Sequence, residues 1–70
     1  MVAVADRADR LEGLIEAEYR EMPGMRLTER QIARLWSLSA DECRAVLKRL
    51  VETGRLRRDA TGQYFLPRSS

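Results

Sequence analysis

The stretch from Thr28 to Val51, TERQIARLWSLSADECRAVLKRLV, decides how this chain folds. Thr28 is followed three residues later by Gln31, and Ser39 three residues later by Glu42. Both pairs have the spacing of a capping box, in which a hydroxyl accepts from an orphan backbone N–H and the longer side chain reaches back. Two helix starts this close leave room for about two turns of helix between them. The spacing predicts a helix from about Glu29 to Trp36, a turn at Ser37-Leu38, and a second helix from about Ala40 to Thr53. Ile32, Ala33, Leu35 and Trp36 supply the buried side of the first. Ala33 is small enough to let its neighbour approach, and Leu38 is placed to plug the angle between the two. On the second helix Cys43, Val46, Leu47, Leu50 and Val51 recur at helical spacing as a core stripe. Gly54 is the expected C-terminal stop.

Upstream, Ala8, Leu11, Leu14, Ile15, Tyr19 and Met22 recur at spacings of three and four, so a further amphipathic helix is expected from about Asp6 to Glu21. Pro23-Gly24 ends it. Met25-Arg26-Leu27 is too short for a helix and reads as a brief strand. Downstream, Leu56-Arg57-Arg58 and Gln63-Tyr64-Phe65-Leu66 are strand-like, joined by Asp59-Ala60-Thr61-Gly62. Asp caps local N–H groups there, and Gly accepts the positive φ a tight hairpin needs. The expectation is a mainly α domain with a small β-sheet. Its core would hold Leu11, Leu14, Ile15, Leu27, Ile32, Leu35, Trp36, Leu47, Leu50, Leu56 and Tyr64. One domain is expected over residues 1–70, with the core at about 6–66 and a frayed tail at 67–70.

Seventy residues bury a modest core. One cysteine forms no internal disulfide, and a chain without histidine offers no ordinary zinc site. Cys43 falls on the apolar stripe and reads as a small buried hydrophobe, which suits a reducing cytosol. Asp6 and Asp9 interrupt the start MVAVADRADR, so no export signal or membrane span is expected, and a cytoplasmic location is. No Gly-rich phosphate loop or catalytic constellation is visible. Neither enzymatic activity, nor a cofactor, nor a metal, nor a small-molecule ligand is expected. Net charge is only +2, but it is uneven. Residues 1–43 hold six Arg against nine Asp and Glu, giving −3; residues 44–70 hold seven Lys and Arg against Glu52 and Asp59, giving +5. Positive charge gathers in the last helix and the hairpin, as expected of elements that face a phosphate backbone.

Two helices joined by a tight turn form a helix-turn-helix, which can lay its second helix in the DNA major groove. With the preceding helix and strand and the closing hairpin, the order resembles the winged helix-turn-helix domains of bacterial transcription regulators. Ile32, Trp36, Leu38, Cys43 and Val46 match the apolar pattern of that motif, and Ala33 its small residue. The string LVETGRLRRDATGQYFL is similar to the end of MarR-like and IclR-like winged domains, where a helix stops at Gly and runs into a basic wing. Ser37 departs from the pattern, since many members carry Gly at that turn.

The resemblance implies a DNA-binding transcription regulator with the helix at about 40–53 in the major groove and a wing at 55–63 on the backbone or minor groove. Opposite the core stripe, 100° per residue places Asp41, Ala45, Lys48, Arg49 and Glu52, with Arg44 on the flank. The expected DNA-binding residues are Ser39, Asp41, Arg44, Ala45, Lys48 and Arg49 on the helix, with Arg55, Arg57, Arg58 and Gln63 on the hairpin. The expected partner is double-stranded DNA. A homodimer is expected because pairing doubles a small footprint, through the N-terminal helix or Val2-Ala3-Val4. The competing reading is an adaptor that binds protein and not DNA, since fold does not settle function.

Overall fold

The computed structural model describes residues 4–67. Val2, Ala3 and the tail beyond Pro67 lie outside them. Three helices run in order with three short strands: α1 (Val4–Glu21), β1 (Arg26–Thr28), α2 (Glu29–Leu35), α3 (Ala40–Glu52), β2 (Arg57–Arg58) and β3 (Gln63–Phe65). The architecture is therefore mainly helical, with a small antiparallel sheet of order β1-β3-β2.

Local signals account for the element boundaries. Both capping boxes form. Thr28 Oγ1 accepts from Gln31 N at 3.2 Å while Gln31 Oε1 accepts from Thr28 N at 2.9 Å. Ser39 and Glu42 repeat the exchange at 3.1 and 3.2 Å. Between the helices Ser37 adopts φ 54°, in the left-handed region that favours glycine. The Leu38 amide closes the turn on the Ala33 carbonyl at 2.7 Å. Helix α3 stops at Gly54, φ 75°, and the Arg55 and Leu56 amides both donate to the Leu50 carbonyl.

The hairpin turn is built on Asp59. Its carboxylate accepts from the Thr61 hydroxyl at 2.6 Å, from the Gln63 and Thr61 amides at 3.0 and 2.9 Å, and from Arg26 at 2.8 Å. Arg26 also lies over the Phe65 ring, 4.3 Å from its centre. The Thr61 hydroxyl, followed by the Gln63 amide, leads the contacts that hold the Asp59 carboxyl down at about 2, from an ordinary 3.8. A carboxyl depressed on folding stabilises the fold above its unfolded pKa and ceases to do so as pH falls through its folded one. Asp59→Asn is expected to lower the melting temperature at pH 7, and the gap from wild type is expected to close as pH falls from about 4 towards about 2. Thermal melts of both proteins across that range check this; a gap independent of pH overturns it.

The core lies where α1, α2 and α3 meet one face of the sheet. Ile15, Tyr19, Ile32, Cys43, Val46, Leu47, Leu50, Leu56 and Tyr64 are buried, with Leu11, Leu27, Trp36 and Leu38 half-buried against them. Tyr64 is on the central strand, paired with Leu27 on β1 and Arg58 on β2. Tyr19 spans from α1 to that strand, its hydroxyl donating to the Tyr64 carbonyl at 2.8 Å. Burial pushes the Tyr19 phenol up to about 12. Cys43 is buried, as its place in the stripe implied, and its Sγ donates to the Glu29 carbonyl at 3.3 Å. Burial, then the Glu29 carboxylate, pushes this thiol up to about 11.

Two expected core residues are not in the core. Leu14 is 50 % exposed and Leu35 60 % exposed, and Met22 and Val51, the last residues of the expected α1 and α3 stripes, are exposed as well because each lies at a helix end beyond its packing partners. Leu14 sits 100° around α1 from Ile15, beyond the reach of α3. Leu35 ends a helix of seven residues, which offers its neighbours little more than Ile32. The position that α1 does bury beside Ile15 and Tyr19 is charged: Glu12 is 1 % exposed.

Candidate nucleic-acid interface

Helix α3 turns Cys43, Val46, Leu47 and Leu50 inward. At 100° per residue, Arg44, Lys48, Asp41 and Glu52 therefore project on the opposite side and the flank nearer the hairpin. Arg44 and Lys48 are exposed, and so are Arg57 and Arg58 on β2. Arg44, Lys48 and Arg58 line one concavity of about 290 Å³ between α3 and the hairpin. Its floor is apolar, formed by Leu47, Val51 and Tyr64, and Glu29 and Glu52 share its rim. Arg57 lies on the other flank of the hairpin, near Leu56 and Pro67.

The remaining expected residues divide. Ser39 and Asp41 stand exposed at the start of α3, where Ser39 is already engaged as a cap. Ala45 faces a shallow groove shared with Ala8 and Leu11 of α1, away from the hairpin. Gln63 is half-buried on β3, paired with Thr28.

Arg49 and Arg55 are engaged within the fold. Arg49 turns to α1, with Nε 3.1 Å from Glu12 Oε2 and Nη2 3.7 Å from Asp9. Arg55 is half-buried, bonded to Glu12 Oε1 and 3.5 Å from Glu16. Glu12 Oε2 faces Arg49 without hydrogen-bond geometry, so its partnership with that arginine is one of charge. These two arginines neutralise α1 carboxylates and tie α1 to the end of α3. The signal was present in the sequence: Glu12 interrupts an apolar stripe three residues before Ile15, and a buried carboxylate demands cations from elsewhere in the chain.

Pairing thus sorts the basic side chains. Arg7, Arg20, Arg26, Arg49 and Arg55 each meet a carboxylate. Arg44, Lys48, Arg57 and Arg58 have no ion-pair partner among the described residues. Neither do Arg30 and Arg34, one turn apart on the exposed side of α2. Those two were not among the expected contacts, although their spacing of four on a helix whose buried residue is Ile32 marks them as outward neighbours. Among the described residues, positive charge without an ion-pair partner therefore lies on α2, α3 and β2, and at Arg10 on α1.

Among the described residues no group of three or more His, Cys, Asp or Glu could hold a metal ion, and no helix is long and apolar enough to cross a membrane. No protein-family model, curated protein or solved structure matches the chain.

Proposed function

We propose that this chain is a winged helix-turn-helix domain that binds double-stranded DNA as a transcription regulator, with α2 and α3 as the helix-turn-helix and the β2–β3 hairpin as the wing. One observation carries the reading. The fold pairs Arg7, Arg26, Arg49 and Arg55 with carboxylates, yet leaves Arg44 and Lys48 on α3 and Arg57 and Arg58 on the hairpin without carboxylate partners among the described residues. Three of these four rim a single concavity. A convex helix flanked by a basic hairpin fits a groove and the phosphates beside it. In this reading Arg44 and Lys48 enter the major groove, and Arg57 and Arg58 hold the backbone or minor groove. The domain works by binding alone, in the cytoplasm, without catalysis or a cofactor.

The test is titration of duplex DNA over a series of salt concentrations. Affinity is expected to fall steeply with salt, in proportion to the phosphates contacted. Arg58→Ala is expected to weaken binding to every duplex alike and to lower the salt slope by about one unit. Arg44→Ala is expected to cost about 1–3 kcal/mol on a preferred site and much less on random duplex. Arg49→Ala, which changes a residue held against α1, is expected to leave the salt slope unchanged. Absence of DNA binding at low salt overturns the proposal and leaves the protein-adaptor reading in its place.

A further inference from the structure

Helix α1 shows solvent a face that the fold does not use. Arg10, Gly13, Leu14, Ala17, Glu18 and Glu21 are all exposed. At 100° per residue they form one continuous stripe on the side of α1 away from Ile15 and Tyr19. Its one large apolar residue, Leu14, keeps half of its surface in water and sits at the midpoint of the stripe.

The charge order along this stripe is opposite to what a lone helix favours. Arg10 lies on the N-terminal side of Leu14, with Arg7 one turn before it, while Glu18 and Glu21 lie on the C-terminal side. The helix dipole favours acids at the N-terminus and bases at the C-terminus, so the dipole does not reward this arrangement. Gly13 adds a second feature without an internal explanation. It sits inside the helix, where it weakens the helix relative to alanine, yet a Cβ built there meets nothing within 4 Å.

Both features have a purpose if a second α1 lies against this face in the opposite direction. A two-fold axis at Leu14 sets each residue against the one equally far on the other side. Leu14 then meets the Leu14 of the second copy and Arg10 meets its Glu18, while Arg7, already paired with Glu42 at 2.9 Å, stands opposite its Glu21. Symmetry makes each contact twice. A parallel pairing would set Arg10 against Arg10 and Glu18 against Glu18. Gly13 and Ala17, small and beside the midpoint, let the two backbones approach.

We propose that this face is a dimer interface, at which α1 pairs antiparallel with α1 of a second copy of the chain, centred on Leu14. The pairing leaves Arg44, Lys48, Arg57 and Arg58 uncovered and does not rest on the DNA reading. One helix pair is a small interface, so association is expected to depend visibly on concentration.

Sedimentation equilibrium of the full chain, without DNA, tests the proposal over concentrations from about 1 μM to about 1 mM, the range a small interface requires. A monomer–dimer equilibrium is expected. Leu14→Lys is expected to be monomeric with an unchanged far-ultraviolet circular dichroism spectrum. Arg10→Glu and Glu18→Arg, each placing like charges together twice, are expected to weaken the dimer about tenfold or more, and the double variant to recover most of that loss. Gly13→Ala is expected to raise helix stability while weakening association. A chain that stays monomeric throughout, a dimer that survives Leu14→Lys, or a double variant no better than the single ones overturns the proposal. Because no DNA is present, that failure leaves the DNA reading standing.

Discussion

Leu47→Ala is expected to lower the stability of the domain by about 2–5 kcal/mol, from lost transfer free energy and the cavity left behind. Leu47 is 1 % exposed, on the inward side of α3, and forms part of the floor of the concavity between α3 and the hairpin. Its neighbours there belong to two layers, helix and sheet, so they cannot close the gap by moving one element. A domain of this length holds about 4–10 kcal/mol in total, and the change removes a large share of it. Urea denaturation at unchanged slope measures the loss directly. A loss below about 1 kcal/mol, the level of an ordinary surface substitution, would show that Leu47 is not central to the core.

Removing Arg55 is expected to cost about as much by a different route. Glu12 is nearly sealed from water, its side chain 2 % exposed, and Arg55 is the cation hydrogen-bonded to it. Arg55→Ala leaves a buried carboxylate with only Arg49, itself 53 % exposed, and breaking a buried pair in this way costs about 3–5 kcal/mol. The penalty belongs to the stranded charge and not to a lost attraction. Glu12→Leu in the Arg55→Ala background is therefore expected to restore most of the stability, since an apolar residue at that position asks for no partner. Denaturation of the single and double variants completes the cycle. If Arg55→Ala costs less than about 1 kcal/mol, the pair behaves as a solvated surface bridge and the clamp between α1 and the α3–β2 corner is not a structural one.

The same cluster explains why Arg55 is absent from the proposed DNA contacts while Arg58, three residues on, is among them. Both lie in the run Arg55-Leu56-Arg57-Arg58, and by charge and position alone they are equivalent. Leu56 is fully buried, which turns the chain so that Arg55 lies under α1 and Arg58 beside α3.

What the sequence by itself determined are the features that depend on neighbours along the chain. The capping boxes at Thr28 and Ser39, the stop at Gly54, the Asp59 turn and the inward stripe of α3 from Cys43 to Leu50 formed as their spacing predicts, while Val51 at the end of that stripe stays exposed. Each involves groups within a turn or two of one another, so its geometry follows from backbone bonding and from the helical repeat. Tertiary structure alone decided which of several equivalent side chains met a partner from another element. Leu14 and Leu35 had apolar periodicity but no neighbour to cover them, Glu12 had charge but found two arginines, and Arg49 and Arg55 were drawn into that cluster. Burial and ion pairing depend on the direction in which distant elements cross, and a seventy-residue core covers only one side of each helix.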